Sequence, residues 1–350
     1  MKILLTYMVE NVVLADCPAD EIKSFVEGLN ELSEQKYQCV SEVACGIRTG
    51  IISEIGRYKA YFKAGWHAFK NRKKYGVIIG WQQFYALIFC FYCRLCHVKK
   101  ENTVVALNFT YKAKRGLIGV LYKWFMKQCV CGGYLDYIHV PSESYADQFC
   151  KDFGFEKKNI IVMPFGIDDI YDEWKDSAVP VGCEKNGYAM SIGRSNRDFD
   201  FLVEAWSKIE LPLVIISDSY SPRCKLPENV VVLDNIAGKD QYPYIVNAKM
   251  VIISIADGRI CSGDTVLLTS FSFEKKVIVT KPSTLGEMYI QNKENGYLIE
   301  KNMSELITLV DEICMEDNNE VGKQARDTYL NRYSRYSMGR RVAEFIREEI

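Results

Sequence analysis

The chain has 350 residues, of which 48% are hydrophobic and 25% charged, and its formal net charge is −1. This length exceeds one ordinary core and suits two domains, and the small net charge gives no overall field toward nucleic acid, so we expect no nucleic-acid partner. The 13 cysteines occur without a signal-peptide pattern, which favours free thiols in the cytoplasm.

Predicted strands and helices alternate along the chain. In the first half, the pattern predicts strands at 1–7, 75–81, 102–108 and 136–142 and helices at 19–34, 82–99 and 115–130. In the second half, it predicts strands at 187–192, 212–217, 229–234, 249–254 and 276–280 and helices at 198–208, 239–247 and 264–274. Such alternation indicates an α/β protein whose parallel sheets are covered by helices on both faces.

The alternation pauses at 167–186, an acidic stretch with one proline and no clean periodicity. We therefore place a domain boundary here. The N-terminal domain is expected at 1–168, a linker at 169–186 and the C-terminal domain at 187–335.

Two basic stretches lie in the first domain. Residues 56–75 hold seven Lys and Arg and no acid, interleaved with aromatic side chains, and 111–127 repeat the pattern. A solvated helix face and docking on anionic lipid headgroups explain this pattern about equally well. The longest apolar run, Phe84–Cys93, is shorter than the roughly 20 residues of a membrane span. The cations proposed for an acceptor or a membrane are Lys70, Arg72, Lys73, Lys74, Lys112 and Arg115.

Two short motifs have structural explanations that we prefer. CRLCH at 93–97 has the spacing of a c-type haem site, but it lies in an apolar helix, where buried cysteines are common. DFD at 198–200 resembles a metal-holding Asp-x-Asp, but it opens a helix, where Asp serves as a cap. We therefore predict no metal site.

Residues 258–273, GRICSGDTVLLTSFSF, run from a Gly- and Ser-rich loop into an apolar helix. The start of that helix, Ser262–Thr265, would offer free amides and the positive end of the helix dipole to an anion. In an earlier strand–loop–helix segment, Gly193 lets the backbone turn close to a ligand, and Arg194 presents a planar fork of donors suited to phosphate.

Three segments in order resemble the GT-B glycosyltransferases, specifically the family 4-like group (group 1). They are HVPSESYADQFCKDFGFEKKNIIVMPFGID at 139–168, SIGRSNRDFDFLVEAW at 191–206 and SGDTVLLTSFSFEKKVIVTKPSTLGEMYIQNKENGYLIE at 262–300. The resemblance covers about residues 136–300 and implies two Rossmann-like parallel-sheet domains that face each other across a cleft. It also implies that the C-terminal helix, at about 336–350, packs back on the first domain. The substrate would be a nucleotide-diphosphate sugar, with no cofactor.

The same resemblance implies the roles of individual residues. The donor would contact Gly193, Arg194, Arg197, Ser262, Gly263, Thr265 and Thr269. Catalytic contacts are expected from Asp264 and from Asn108, which follows a first-domain strand where relatives often carry histidine. Two glutamates of the family fall at Cys261 and Thr269, so the sugar and the ribose would be held differently here.

These features predict a glycosyltransferase, retaining in outcome, that uses a saccharide or lipid-linked acceptor in capsule or exopolysaccharide assembly. It would be peripheral at the inner face of the cell membrane. Two alternatives stay open: a GT-B-shaped scaffold protein whose site has decayed, and a sugar-nucleotide epimerase on the same fold.

Overall fold

The computed structural model describes residues 10–41, 51–223, 225–260 and 262–349. They divide into two compact units: the described residues through Asp168 together with those from Arg335 onward form unit 1, and Asp169–Ser334 form unit 2. The strand predicted at 1–7 lies outside the described residues. The first described strand is β1, over Glu10–Ala15.

The described part of unit 1 is a parallel sheet with flanking helices. After β1, its strands are β2 Tyr37–Ser41, β3 Tyr75–Gly80, β4 Thr103–Ala106, β5 Tyr137–Val140 and β6 Ile160–Val162. Its helices are α1 Lys23–Leu32, α2 Ile51–Lys70, α3 Gln83–Leu95, α4 Gly116–Val130, α5 Glu143–Phe153 and, from the end of the chain, α13 Arg335–Glu349. The strand order is β2-β1-β3-β4-β5-β6, with every pair parallel.

The helices of unit 1 follow from where apolar side chains recur. In α3 nearly every side chain from Gln83 to Cys90 is buried, and the helix packs between α2 and α4. Helix α2 is amphipathic, with Tyr61 and Phe69 on its buried side and Phe62 and Trp66 on its exposed side. This periodicity of three to four residues is what turns one face of a helix toward the core.

The C-terminal helix α13 belongs to unit 1 and packs against α1. Two glycines permit the close approach: a Cβ on Gly28 would meet the backbone of Tyr336, and one on Gly339 would meet the backbone of Phe25. At the start of α13, the Arg335 N–H donates to the Ile167 carbonyl (2.9 Å), and the Arg335 guanidinium pairs with Asp168 (2.5 Å).

The described part of unit 2 is a second parallel sheet. Its strands are β7 Ala189–Ile192, β8 Leu213–Ile216, β9 Val230–Leu233, β10 Met250–Ile253, β11 Lys276–Lys281 and β12 Tyr297–Glu300. Its helices are α6 Tyr171–Trp174, α7 Phe199–Trp206, α8 Tyr242–Asn247, α9 Asp264–Ser272, α10 Thr284–Tyr289, α11 Met303–Met315 and α12 Glu320–Arg332. The strand order is β12-β11-β10-β7-β8-β9, again parallel throughout. The predicted α/β class, with two parallel Rossmann-like sheets, is confirmed.

Candidate functional site

The loops that follow β7 and β10 lie side by side at the carboxyl edge of the unit 2 sheet. These two strands are neighbours, and the chain proceeds from β7 toward one edge of the sheet and from β10 toward the other. Parallel α/β sheets bind ligands at such a reversal of strand order, beyond the carboxyl ends of the strands. The candidate site of unit 2 is therefore built from 193–198, after β7, and from the described residues between β10 and α9.

Asn196 joins these two loops. Its Nδ2 donates to the carbonyls of Asp257 (3.0 Å) and Ile260 (3.1 Å) and to Ser262 Oγ (3.3 Å), and its Oδ1 accepts the Asp257 N–H (2.7 Å). Its φ is +56°, in the left-handed region that Asn tolerates better than most residues. Sequence reasoning gave Asn196 no role. The only sequence signal is a loop Asn two residues after Arg194, and this does not reveal a partner more than 60 residues away.

The Arg197 side chain lies between two glycines of the site. A Cβ on Gly193 would come within 2.8 Å of Arg197 Nε, and one on Gly263 within 2.5 Å of Nη2. Both glycines have φ values that favour glycine, +155° and +108°. The backbone therefore folds closely around the guanidinium, and a side chain at either position would displace it.

The Arg197 guanidinium donates to neutral oxygen atoms. Nε donates to the Ile192 carbonyl (3.2 Å), and Nη1 donates to the Ser195 carbonyl (3.3 Å) and to Ser262 Oγ (3.3 Å). Burial lowers the pKa of Arg197, whereas the charge of Asp264 raises it. The group stays charged at neutral pH, because an arginine is not deprotonated in proteins. A partly buried positive charge therefore lies in the middle of the site.

Helix α9 begins beside this cation. Gly263 is its N-cap, and Asp264, one of the predicted catalytic residues, is its first residue. A glycine cap has no side chain to accept from the first-turn amides, which are the positive end of the helix dipole. Thr265 is exposed on the first turn. Thr269, predicted to hold the ribose, lies in the middle of α9 with 5% of its surface exposed. Cys261 lies outside the described residues.

Arg194 occupies a more open position than Arg197. Its Nε pairs with Asp218 Oδ2 at 2.9 Å, and its side chain is 69% exposed. Its backbone is fixed through the Ser219 hydroxyl, which donates to the Arg194 carbonyl (2.5 Å). The structure thus groups Gly193, Arg197, Ser262, Gly263 and Asp264 together and places Arg194 in an ion pair at the surface.

A further cation of the loop, Arg259, also escaped the sequence reasoning. It forms two parallel hydrogen bonds with Asp257, from Nε to Oδ1 (2.9 Å) and from Nη2 to Oδ2 (2.7 Å). This hydrogen bonding lowers the pKa of Asp257 to about 2. Asp257 is therefore ionised at neutral pH and holds Arg259 at the surface of the loop.

In unit 1, Asn108 lies just beyond β4, where its φ is +53°. Its Nδ2 donates to the Trp81 carbonyl (2.8 Å), and its N–H donates to His139 Nδ1 (3.2 Å). Since Nδ1 is the acceptor, Nε2 carries the proton and donates to the Met163 carbonyl (2.8 Å). Burial lowers the pKa of His139 to about 4, so the imidazole is neutral at pH 7.

The basic residues predicted to face an acceptor or a membrane lie in unit 1. Lys112 and Arg115 are exposed just before α4, and Lys70 ends α2 with its Nζ 5.4 Å from the centre of the Trp66 ring. Arg72, Lys73 and Lys74 form a short 3-10 helix after α2. The Arg72 guanidinium lies 4.6 Å from the centre of the Phe69 ring.

The capping interpretation of DFD is confirmed, whereas the buried-cysteine interpretation of CRLCH holds for Cys93 and not for Cys96. Asp198 is the N-cap of α7, and its Oδ1 accepts the Phe201 N–H (3.1 Å). Cys93 is buried in α3, but Cys96 lies just beyond the end of that helix and is exposed. Within the described ranges, no three His, Cys, Asp or Glu side chains converge as metal ligands. No helix of those ranges is both long and apolar enough to cross a membrane.

Comparison with solved structures finds the same two-unit architecture in several proteins. A glycosyltransferase from Rickettsia africae ESF-5 matches with a TM-score of 0.59 and 12% identity, over 97% of this chain and 98% of that one. Anabaena HepE in complex with UDP matches with a TM-score of 0.59 and 12% identity, over 97% and 100%. WaaG, a glycosyltransferase involved in lipopolysaccharide biosynthesis, matches with a TM-score of 0.54 and 13% identity, over 96% and 99%. No family model and no curated protein matches the chain.

Proposed function

We propose that this chain, whose fold is the GT-B fold of those glycosyltransferases, moves a sugar from a nucleotide-diphosphate sugar to a saccharide acceptor. Fold alone does not fix function, so the proposal rests on the site. The observation that carries it is the Arg197 guanidinium, held between Gly193 and Gly263 at the start of α9. A cation and a helix N-terminus together form a binding site for the diphosphate of such a donor.

The chemistry proposed needs charge stabilisation more than a protein base. As the bond between sugar and diphosphate breaks, negative charge develops on the diphosphate oxygens. A fixed guanidinium and helix amides stabilise that charge without reorganising. In a retaining reaction, an oxygen of the departing diphosphate accepts the proton of the acceptor hydroxyl on the same face of the sugar. We assign Asp264 and Asn108 to positioning the sugar, and we propose that the reaction needs no metal ion.

The acceptor proposed is a lipid-linked saccharide at an anionic membrane surface, in the assembly of a polysaccharide such as a capsule. Support comes from the exposed cations of unit 1. Binding of a diphosphate donor in unit 2 does not require them, whereas binding to anionic lipid headgroups does. The protein would then act as a peripheral protein at the inner face of the cell membrane.

A thermal-shift screen of nucleotide-diphosphate sugars tests the donor. A true donor raises the melting temperature by mass action, because it binds only the folded protein. If no nucleotide sugar does so, the decayed-scaffold alternative is favoured. UDP, bound in the Anabaena structure, is the first probe to include.

Calorimetry with UDP, or with the nucleoside diphosphate that the screen selects, tests the site itself. Arg197→Met should weaken binding by about 2 kcal/mol, roughly 30-fold, because a charge-assisted hydrogen bond to phosphate is lost. The matched control is Arg223→Met, which removes an exposed arginine of unit 2 paired with Asp200. Equal affinity of the Arg197 variant and the control would place the diphosphate site elsewhere.

A further inference from the structure

Helix α4 exposes an apolar ridge over its first turns. Leu117, Ile118, Val120, Leu121 and Trp124 are between 55% and 85% exposed. Their spacing of three, four and seven residues places them along one broad side of the helix. The core-facing residues of α4 concentrate in its second half, where Met126, Cys129 and Val130 are buried. Folded domains rarely expose so many adjacent bulky apolar side chains without a partner surface.

The ridge lies in the most basic part of the chain. Residues 55–135 contain fifteen Lys and Arg and a single acid, Glu101, which gives this part a formal charge of +14. Since the whole chain carries −1, the remaining residues carry −15. Near the ridge the exposed cations are Lys112, Lys114, Arg115, Lys123 and Lys127.

An apolar groove connects the ridge to α2. It has a volume of about 360 Å³ and is lined mainly by apolar and aromatic side chains from α2, α3 and α4. Across it, the rings of Phe62 on α2 and Phe125 on α4 are 6.3 Å apart. The exposed side of α2 continues the pattern, because Lys59, Lys63 and Lys70 alternate with Phe62 and Trp66.

We infer that the α4 ridge inserts into the headgroup region of an anionic lipid bilayer while the surrounding cations bind its headgroups. A bilayer surface presents apolar chains beneath negative charge, which complements an apolar ridge within a cationic rim. Tryptophans such as Trp66 and Trp124 suit the boundary between the two layers. The inference deepens the proposed function, on which its biological purpose rests, by naming α4 as the element that enters the membrane.

Two other occupants fit the surface less well. A second copy of the chain would bring two cationic rims together, and like charges facing each other oppose association. Nucleic acid would match the cations, but its phosphate backbone gives no partner to the exposed leucines and isoleucine. The bilayer alone satisfies both the charge and the apolar surface.

The experiment measures binding of the full chain to phosphatidylcholine vesicles with and without phosphatidylglycerol, in the absence of nucleotide. We expect binding to the anionic vesicles that weakens as salt is added. Leu117→Ser combined with Leu121→Ser should reduce the partition coefficient at least tenfold, because the variant has lost two leucine side chains that the bilayer would bury. The matched control is Val181→Ser combined with Met315→Ser, which removes two apolar side chains of unit 2 that are at least 80% exposed and should leave binding unchanged.

Two further variants separate insertion from simple attraction. Replacing Lys112, Lys114, Arg115 and Lys123 by Gln should lower the partition coefficient about fivefold per cation at low salt. Brominated lipids should quench tryptophan fluorescence, and Trp124→Phe should remove much of that quenching. Binding that the leucine variant leaves unchanged, or vesicle binding without quenching, would overturn the insertion of α4. Absence of vesicle binding together with a dimer that the leucine variant dissociates would make a second copy the occupant. UDP binding measured without vesicles shows separately whether the proposed function stands.

Discussion

In both units, the loop that leaves an interior strand contains an asparagine in the left-handed region: Asn108 in unit 1, with a φ of +53°, and Asn196 in unit 2, with a φ of +56°. In both, the side-chain amide donates to a backbone carbonyl of another loop. The neighbouring charge differs. The Asn108 N–H donates to His139, which is neutral, whereas the residue after Asn196 is Arg197, which is charged.

The same local feature, an asparagine with a positive φ that bonds to a neighbouring loop, thus serves two purposes. In unit 1 the asparagine and His139 bond to neighbouring groups, and burial keeps His139 uncharged. In unit 2 the loops close around a permanent charge at the start of a helix. Of these two strand ends, the one in unit 2 is therefore suited to bind an anion.

The largest effect that tests this comparison concerns the neutral state of His139. Its pKa is about 4 in the folded protein and 6.5 ordinarily, so the unfolded chain takes up the proton first as the pH falls. The associated stability is present above pH 6.5 and is lost as the pH falls from 6.5 toward 4. The loss should amount to about 3 kcal/mol in the free energy of unfolding. Urea unfolding at a series of pH values measures it.

His139→Gln should flatten this part of the profile, because the amide does not titrate. His67→Gln is the control, since His67 lies exposed on α2. If the profile of His139→Gln keeps the full slope, His139 is not the neutral partner of Asn108. The contrast between the units would then fail.

Replacing each asparagine by glycine sharpens the comparison, because glycine adopts the same φ without the side chain. Asn196→Gly removes bonds to Asp257, Ile260 and Ser262, whereas Asn108→Gly removes the bond to Trp81. We expect losses of about 2 kcal/mol and about 1 kcal/mol respectively in the free energy of unfolding. Only Asn196→Gly should also weaken UDP binding. Equal losses with no change in UDP affinity would show that Asn196 does not organise the site.

The elements could be predicted from the sequence because each has its own periodicity. The strands at 75–80 and 103–106 and the helices at 83–95 and 116–130 fall within the predicted ranges. The strands β2, β6 and β12 were not predicted from periodicity. All three lie at edges of the described sheets, where a strand needs a less continuous apolar run than an interior strand that is buried on both faces.

The site could be predicted only in part. The glycines and the start of α9 are visible as a local pattern in the sequence. Which of the two arginines lies inside the site is not visible there. Arg194 and Arg197 are three residues apart and chemically identical in the sequence. Their difference arises from Gly263 and Asp218, which are distant in the chain and near in space. The apolar ridge was missed for the same reason, since the exposure of an apolar helix depends on what packs against it.

The smallest expected effect concerns Arg194, the cation that the sequence placed first. Asp218→Asn removes its carboxylate partner, and because both groups are well exposed, the free energy of unfolding should change by less than about 0.5 kcal/mol. If Arg194 binds the diphosphate as predicted, the variant should bind UDP severalfold more tightly, since the guanidinium no longer has to leave a carboxylate. Calorimetry of Asp218→Asn beside Arg194→Met checks this. If neither substitution changes the affinity for UDP, Arg194 does not bind the donor. Of the two arginines, Arg197 would then be the one that holds it, and Arg194 would be a surface residue that fixes its loop.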